Sequence, residues 1–102
     1  MRIIAQKALR DFWSRRGRGD AEQPLKSWYS FAKAANWQSP ADVKTDYANA
    51  SIVANNRVVF DIAGNKYRLV VEINYQSAMI FIRFVGTHRE YDEIDVTTIR
   101  RY

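Results

Sequence analysis

The chain contains no cysteine, a single histidine and no long apolar run. Without cysteine there is no disulfide, no thiolate nucleophile and no cysteine-ligated metal. One histidine rules out a histidine-rich metal site. The carboxylates of Glu90, Asp92, Glu93 and Asp95 crowd together, but their spacing matches no metal-ligand pattern, so neither a metal nor another cofactor is expected. The apolar stretches are short and broken by polar residues, which excludes a transmembrane helix. Met1-Arg2 leads into only a few apolar residues, unlike a secretory signal. A cytoplasmic protein with no membrane partner is the expectation. No internal repeat, linker or low-complexity tract divides the 102 residues, so residues 1–102 are expected to form one domain around one core.

Hydrophobic residues make up 47% of the chain and aromatics 14%, which argues for a folded globule rather than disorder. The formal net charge is +5. In so small a protein this favours a polyanionic partner, nucleic acid or an acidic protein, although ordinary solubilising charge is the plainer account.

The most informative stretch runs from Asn65 to Asp92. Tyr67, Leu69, Val71, Ile73 and Tyr75 alternate with Arg68, Val70, Glu72 and Asn74, the period of a strand with one buried face. Gln76-Ser77 is a plausible two-residue turn. It pairs Tyr75 with Ala78, Ile73 with Ile80, Val71 with Ile82 and Leu69 with Phe84. Two apolar sets then share one face, and a one-residue slip would carry Arg83 into the core. Arg68 and Arg83 fall on the opposite, open face, Arg83 across from Val70. The only histidine, His88, follows just past the strand end in T-H-R-E-Y-D.

Upstream, Arg57–Ile62 reads as another strand and Ala63-Gly64-Asn65-Lys66 as its hairpin loop. Pairing Ile62 with Tyr67 sets Phe60 against Leu69 and Val58 against Val71, so three strands agree on one apolar face. Asn55-Asn56 suits a tight turn because Asn tolerates positive φ. Ser39-Pro40 opens a short helical turn. Near the N-terminus, Arg2–Ala5 is a short strand candidate, and Leu9, Phe12 and Trp13 lie on one helical face that Gly17 and Gly19 end. Arg15, Arg16 and Arg18 either complement the helix dipole or face RNA. Asp20 and Gln23 read as a capping box for a second helix carrying Leu25, Trp28, Tyr29, Ala32 and Ala35. The stripe Trp13, Trp28, Tyr29 has the spacing of a packed face more than of a base-stacking platform. Ile94–Tyr102 is weakly patterned, its Arg100-Arg101-Tyr102 end resembling a basic tail. The fold class is therefore α+β, two N-terminal helices packed on one face of a largely antiparallel sheet.

His88 can act as acid or base near neutrality. Arg68 and Arg83 can hold a phosphate and stabilise its extra charge in a transition state. Lys66 and Arg89 can each add a point charge, and Tyr91 can donate a hydrogen bond or stack on a base. Together these suit RNA cleavage by 2′-hydroxyl attack. The plainer account is structural: Asp61 faces Arg68 and Arg57 faces Glu72, both possible cross-strand ion pairs, and a lone histidine after a strand is often only a surface residue.

Four blocks carry a resemblance: R-I-I-A-Q-K-A-L at 2–9, S-P-A-D-V-K at 39–44, R-V-V-F-D-I-A-G-N-K-Y-R-L-V-V-E-I-N-Y at 57–75 and I-R-F-V-G-T-H-R-E-Y-D at 82–92. In these the chain resembles the HigB family of bacterial type II toxins, within the RelE/ParE-like superfamily. The resemblance implies a RelE-like fold with a mixed sheet edge. It implies an mRNA interferase, an endoribonuclease cutting mRNA commonly on the ribosome. It also implies neutralisation by a HigA-like helix-turn-helix antitoxin, through which alone the toxin would reach operator DNA. Carried onto this chain, it assigns Arg68 and Arg83 to phosphate binding, His88 to acid–base catalysis with Tyr91 orienting or stacking, and Lys66, with Arg57 and Arg89, to RNA contact. The ParE branch targets gyrase, so a non-catalytic toxin blocking gyrase or the ribosome is the alternative.

Overall fold

A computed structural model describes residues 1–102. Strand β1 (Arg2–Ile4) leads into helix α1 (Gln6–Trp13). A 3₁₀ turn (Gly19–Ala21) enters α2 (Glu22–Ala34), and α3 (Pro40–Asp46) follows. Strands β2 (Ser51–Val53), β3 (Arg57–Ile62), β4 (Tyr67–Asn74) and β5 (Met79–Thr87) form a meander, and a single helical turn α4 (His88–Tyr91) succeeds β5. The five-stranded sheet has the order β1-β5-β4-β3-β2, with β1 parallel to β5 and every other pair antiparallel. This is the α+β fold with a mixed edge that the sequence implies.

Local chemistry accounts for the meander. In the three-residue loop between the paired Val53 and Arg57, Asn55 and Asn56 both take positive φ (63° and 60°), which Asn tolerates. Ala63 and Gly64 do the same between β3 and β4. The β3–β4 register is the expected one throughout: Ile62 with Tyr67, Phe60 with Leu69, Val58 with Val71, Asp61 with Arg68 and Arg57 with Glu72. One face of the sheet then presents Val58, Phe60, Ile62, Leu69, Val71, Ile73, Ile80 and Ile82 to Leu9 and Phe12 of α1 and to Leu25, Trp28 and Ala32 of α2. Trp28 packs edge-on against Phe60 and Phe12 against Tyr67; of the aromatic stripe Trp28 is core, and Trp13 and Tyr29 are partly buried against it.

Two expectations fail here, each for a physical reason. Asp20 caps no helix. It lies within the 3₁₀ turn, α2 begins after Ala21 without a side-chain cap, and the Asp20 carboxylate is taken by Lys66 and Tyr67. In β5 the pairing runs as expected through Ile73–Ile80 and Val71–Ile82, but then shifts between Val71 and Val70. Arg83 is the extra residue of a β-bulge, so Phe84, not Arg83, stands across from Val70, and Leu69 pairs with Val85. Phe84 thereby leaves the helix-covered face.

The opposite face is consequently not open. Val59, Val70 and Phe84 form a small second core, covered by Tyr91, Ile94, Val96 and Ile99. The weakly patterned C-terminal segment is a cover, tied down where the Arg101 amide donates to the Arg83 carbonyl and its guanidinium lies over the Phe84 ring. Phe84→Ala should lower unfolding free energy by about 3–5 kcal/mol, the usual cost of emptying a buried aromatic site. Urea denaturation checks this, and a change below ~1 kcal/mol would mean that the second core contributes little.

Candidate functional site

Three segments converge at one end of the sheet: the start of β4, the end of β5 with α4, and the α1–α2 connection. The α4 turn is set by a capping box. The Thr87 hydroxyl accepts from the Glu90 amide at 3.1 Å, and the Glu90 carboxylate accepts from the Thr87 amide at 2.8 Å. Arg18, from the α1–α2 connection, donates to the same carboxylate at 2.9 Å. Gly86 makes room for this turn. A Cβ there would lie 2.5 Å from the Phe84 ring and 3.0 Å from the Glu90 carboxylate. The backbone of His88 is fixed in turn, its N–H donating to the Lys66 carbonyl at 3.3 Å.

On this scaffold His88 projects outward with its side chain 50% exposed, Nδ1 lying 3.3 Å from Asp92 Oδ2. Its ring meets Tyr91 edge-on at 6.4 Å between centroids. Tyr91 packs against the second core, and the Arg68 guanidinium carbon lies 6.0 Å from its ring centre. Arg68, Tyr91 and His88 are thus brought together, as the sequence expects. Arg68 itself is only 9% exposed. Three of its N–H groups are donated to Asn65 Oδ1 and to the Asn65 and Tyr67 carbonyls, and Nε lies 3.3 Å from Asp61. A guanidinium has five N–H donors. With most of them committed, Arg68 acts as a fixed positive charge more than as an open clamp. Arg89 stands exposed beside His88, and Lys66 reaches across to the Asp20 carboxylate.

Arg83 does not join this group. Its Nε and Nη2 lie 3.0 and 2.9 Å from Glu72 Oε1, and the Val59–Val70–Phe84 plug lies along the face between it and Arg68. Arg57 is also elsewhere, 3% exposed beneath the C-terminal segment. Its Nη1 donates to the Ile99 and Val96 carbonyls at 2.5 and 3.3 Å, and Nη2 lies 3.7 Å from Glu72. The two arginines expected to act together as a phosphate clamp are therefore held apart by the bulge and the cover it requires.

Arg18, Asp20, Asn65 and Glu90 support the site in ways that the sequence does not assign to them, whereas Asp61 stands opposite Arg68 as expected. One of them carried a usable signal. T-H-R-E has the Thr-x-x-Glu spacing of a capping box and directly follows an apolar strand. Arg18 and Asp20 act through long-range partners, 46 residues away for Asp20–Lys66 and 72 for Arg18–Glu90, whereas Asn65 meets Arg68 only three residues on.

A basic α+β domain with a mixed five-stranded sheet, helices on one face and a histidine–tyrosine–arginine group at a strand end has the architecture of a RelE-like toxin. The family model described as HigB_toxin, the RelE-like toxic component of a toxin–antitoxin system, matches residues 21–94. The chain belongs to the HigB toxin family. Among characterised relatives, an mRNA interferase HigB of Escherichia coli O6:H1 is 28% identical over 72 residues, spanning 69% of this chain and 70% of the relative. The mRNA interferase toxin HigB of Escherichia coli K12 is 28% identical over 94 residues, 90% of this chain and 88% of that one. The mRNA interferase HigB of Shigella flexneri matches to the same extent. Lys66, Arg68, Arg83, His88 and Tyr91 all lie within the matched region.

The capping network makes the site sensitive to acid. The Thr87 amide, then Arg18, hold the Glu90 carboxyl below its ordinary value of 4.5. Lys66 and Tyr67 likewise hold Asp20 below 3.8. Each is a carboxylate whose folded pKa is depressed. Its stabilisation is complete above the unfolded value and is lost as pH falls through the folded one. Stability should therefore decline below about pH 4.5, and Glu90→Gln should flatten part of that decline while lowering stability at pH 7. Denaturation midpoints measured from pH 3 to 7 test this. Parallel curves for the two proteins would remove Glu90 from the linkage.

Proposed function

We propose that this toxin is an mRNA endoribonuclease that cleaves messages by 2′-hydroxyl attack and so arrests translation, and that a helix-turn-helix antitoxin of the HigA type neutralises it. The observation that carries this reading is the convergence of His88, Tyr91 and Arg68 at one strand end in a chain of the HigB family. The relatives named above, which are mRNA interferases, support it.

The chemistry follows from the groups available. One base removes the 2′-hydroxyl proton, the alkoxide attacks the adjacent phosphorus, and an acid protonates the departing 5′-oxygen. The exposed His88 ring takes one of these proton transfers. Asp92 beside Nδ1 favours the tautomer with its proton on that nitrogen, leaving Nε2 to face the substrate. Arg68 supplies fixed positive charge in a partly dehydrated setting, where it stabilises the developing phosphorane charge without moving. Tyr91 offers a phenol and an aromatic edge beside both. Lys66 and Arg89 give the incoming strand point charges. Translated mRNA on the ribosome is the substrate in this reading, which presents the message extended and single-stranded.

Mapping transcript 5′ ends after induction without antitoxin tests the proposal. New ends inside reading frames are expected with the natural chain. His88→Ala should reduce them by roughly 10²-fold or more, the scale of a lost general acid or base. Equal cleavage by His88→Ala would remove His88 from the chemistry. Growth arrest with intact transcripts would overturn the nuclease and leave a toxin that blocks its target by binding.

A further inference from the structure

At the end of the sheet away from His88 lies a cavity of about 420 Å³ with no hydrophobic residue in its wall. Arg57 forms its inner side. Its Nε is sealed from solvent and has no hydrogen-bond partner, so Arg57 offers the cavity its charge rather than a free donor. Arg100 stands exposed at the rim. Asn56 and Thr98 add an amide and a hydroxyl to the wall. The one carboxylate in the wall, Glu72, is shared between Arg83 at 2.9 Å and Arg57 at 3.7 Å.

The charge is therefore unbalanced. The wall holds two guanidiniums, Arg57 and Arg100, against the single carboxylate of Glu72, which Arg83 engages as well. Burial, and the like charges of Arg83 and Arg100, lower the Arg57 pKa even against Glu72, as expected for a guanidinium whose charge is incompletely offset. Two arginines against one carboxylate in the wall leave positive charge over, which a phosphodiester would offset. The wall offers no aromatic or aliphatic surface on which a base could stack. Its donors suit phosphate oxygens and sugar hydroxyls.

We propose that this cavity is a second RNA-contact site, holding a backbone phosphate of the bound strand at a distance from the reacting one and reading no base. The proposal rests on the nuclease reading above. Arg57 and Arg68 lie at opposite ends of the β3–β4 pair, since Arg57 pairs with Glu72 and Arg68 with Asp61. Four residue steps along the strand separate them, roughly 13 Å at the rise of an extended chain, which a few nucleotides of single strand can bridge. The site also gives Arg83 a place in RNA binding, through Glu72, that its separation from Arg68 otherwise denies it.

Substituting Arg57 risks the fold, because it holds the C-terminal segment. Arg100 is exposed and serves instead. A fluorescent single-stranded 2′-O-methyl oligoribonucleotide, which cannot undergo 2′-attack, is titrated with the full chain between 50 and 200 mM salt. Arg100→Ala should weaken binding several-fold and lower the slope of log affinity against log salt by roughly 0.7, the value of one lost contact on a single strand. The loss should be the same for oligonucleotides of different sequence. Arg100→Glu should weaken binding further than Lys33→Glu, an equal charge change on α2, which packs on the other face. Equal effects of Arg100→Glu and Lys33→Glu, or no salt-dependent binding by the natural chain, would overturn the site. Transcript cleavage in cells is scored separately. Cleavage together with unaltered Arg100→Glu binding overturns only this site, whereas absence of cleavage by the natural chain overturns the nuclease.

Discussion

One extra residue in β5 decides how the rest of this molecule is arranged. Without the bulge at Arg83, strict alternation would send Phe84 into the helix-covered core and leave Val59 and Val70 on the second face with Arg83 in its place. With it, Phe84 joins Val59 and Val70 on that second face, and the exposed apolar patch has to be covered. The C-terminal segment supplies most of that cover through Ile94, Val96 and Ile99, with Tyr91 and Val53 beside them. Gly86 follows from the same constraint, because the Phe84 ring occupies the space that a Cβ would need. So does the position of Tyr91, which rests on the second core while facing Arg68 and His88.

The charges are organised around this cover. Most of the cations that sequence reading assigns to RNA are already engaged: Arg68 by Asp61 and Asn65, Lys66 by Asp20, Arg83 by Glu72, and Arg57 by the carbonyls of 96 and 99. Only the Lys66–Asp20 pair is exposed on both sides and adds little to stability, commonly below ~1 kcal/mol, whereas the arginines are largely buried among their partners. Their value is placement, since a charge held by several partners does not have to reorganise when phosphate charge develops. The loop joining α1 to α2 takes part through Arg18 and Asp20, so the geometry at His88 depends on the helical layer as well as the sheet.

Much of the fold was legible in the sequence because period-2 alternation in β3 and β4 and helical spacing in α1 and α2 are local signals. The β3–β4 register came out residue for residue. The bulge did not, because I-F-I-R-F-V gives almost the same pattern with or without an extra residue, and only the later pairing of Val85 with Leu69 distinguishes them. Asp20 was misassigned for a related reason. Asp followed three residues on by Gln satisfies the local capping rule, but Lys66 and Tyr67, far along the chain, compete for the same carboxylate and win. The histidine–tyrosine–arginine group was found by residue type and family resemblance. That Arg83 stands apart from it could not be read from spacing, since both arginines lie on the same side of an ideal hairpin.

The bulge thus bears on function as much as on stability. An ideal hairpin would place Arg68 and Arg83 diagonal to each other, a single bidentate-like phosphate site. The real strand places an apolar plug between them and leaves two basic centres at the two ends of one face. One centre carries an exposed histidine and a phenol, groups able to move protons. The other carries only cations, amides and hydroxyls around Glu72, groups able to hold a charge but poorly suited to proton transfer near neutral pH. A substrate that engages both must be long, anionic and extended, and a small phosphate ester could occupy only one. In the nuclease reading proposed above, single-stranded RNA meets that description, and the distance between the two centres, set by the β3–β4 register, favours a polymer over a small phosphate ester before any base is read.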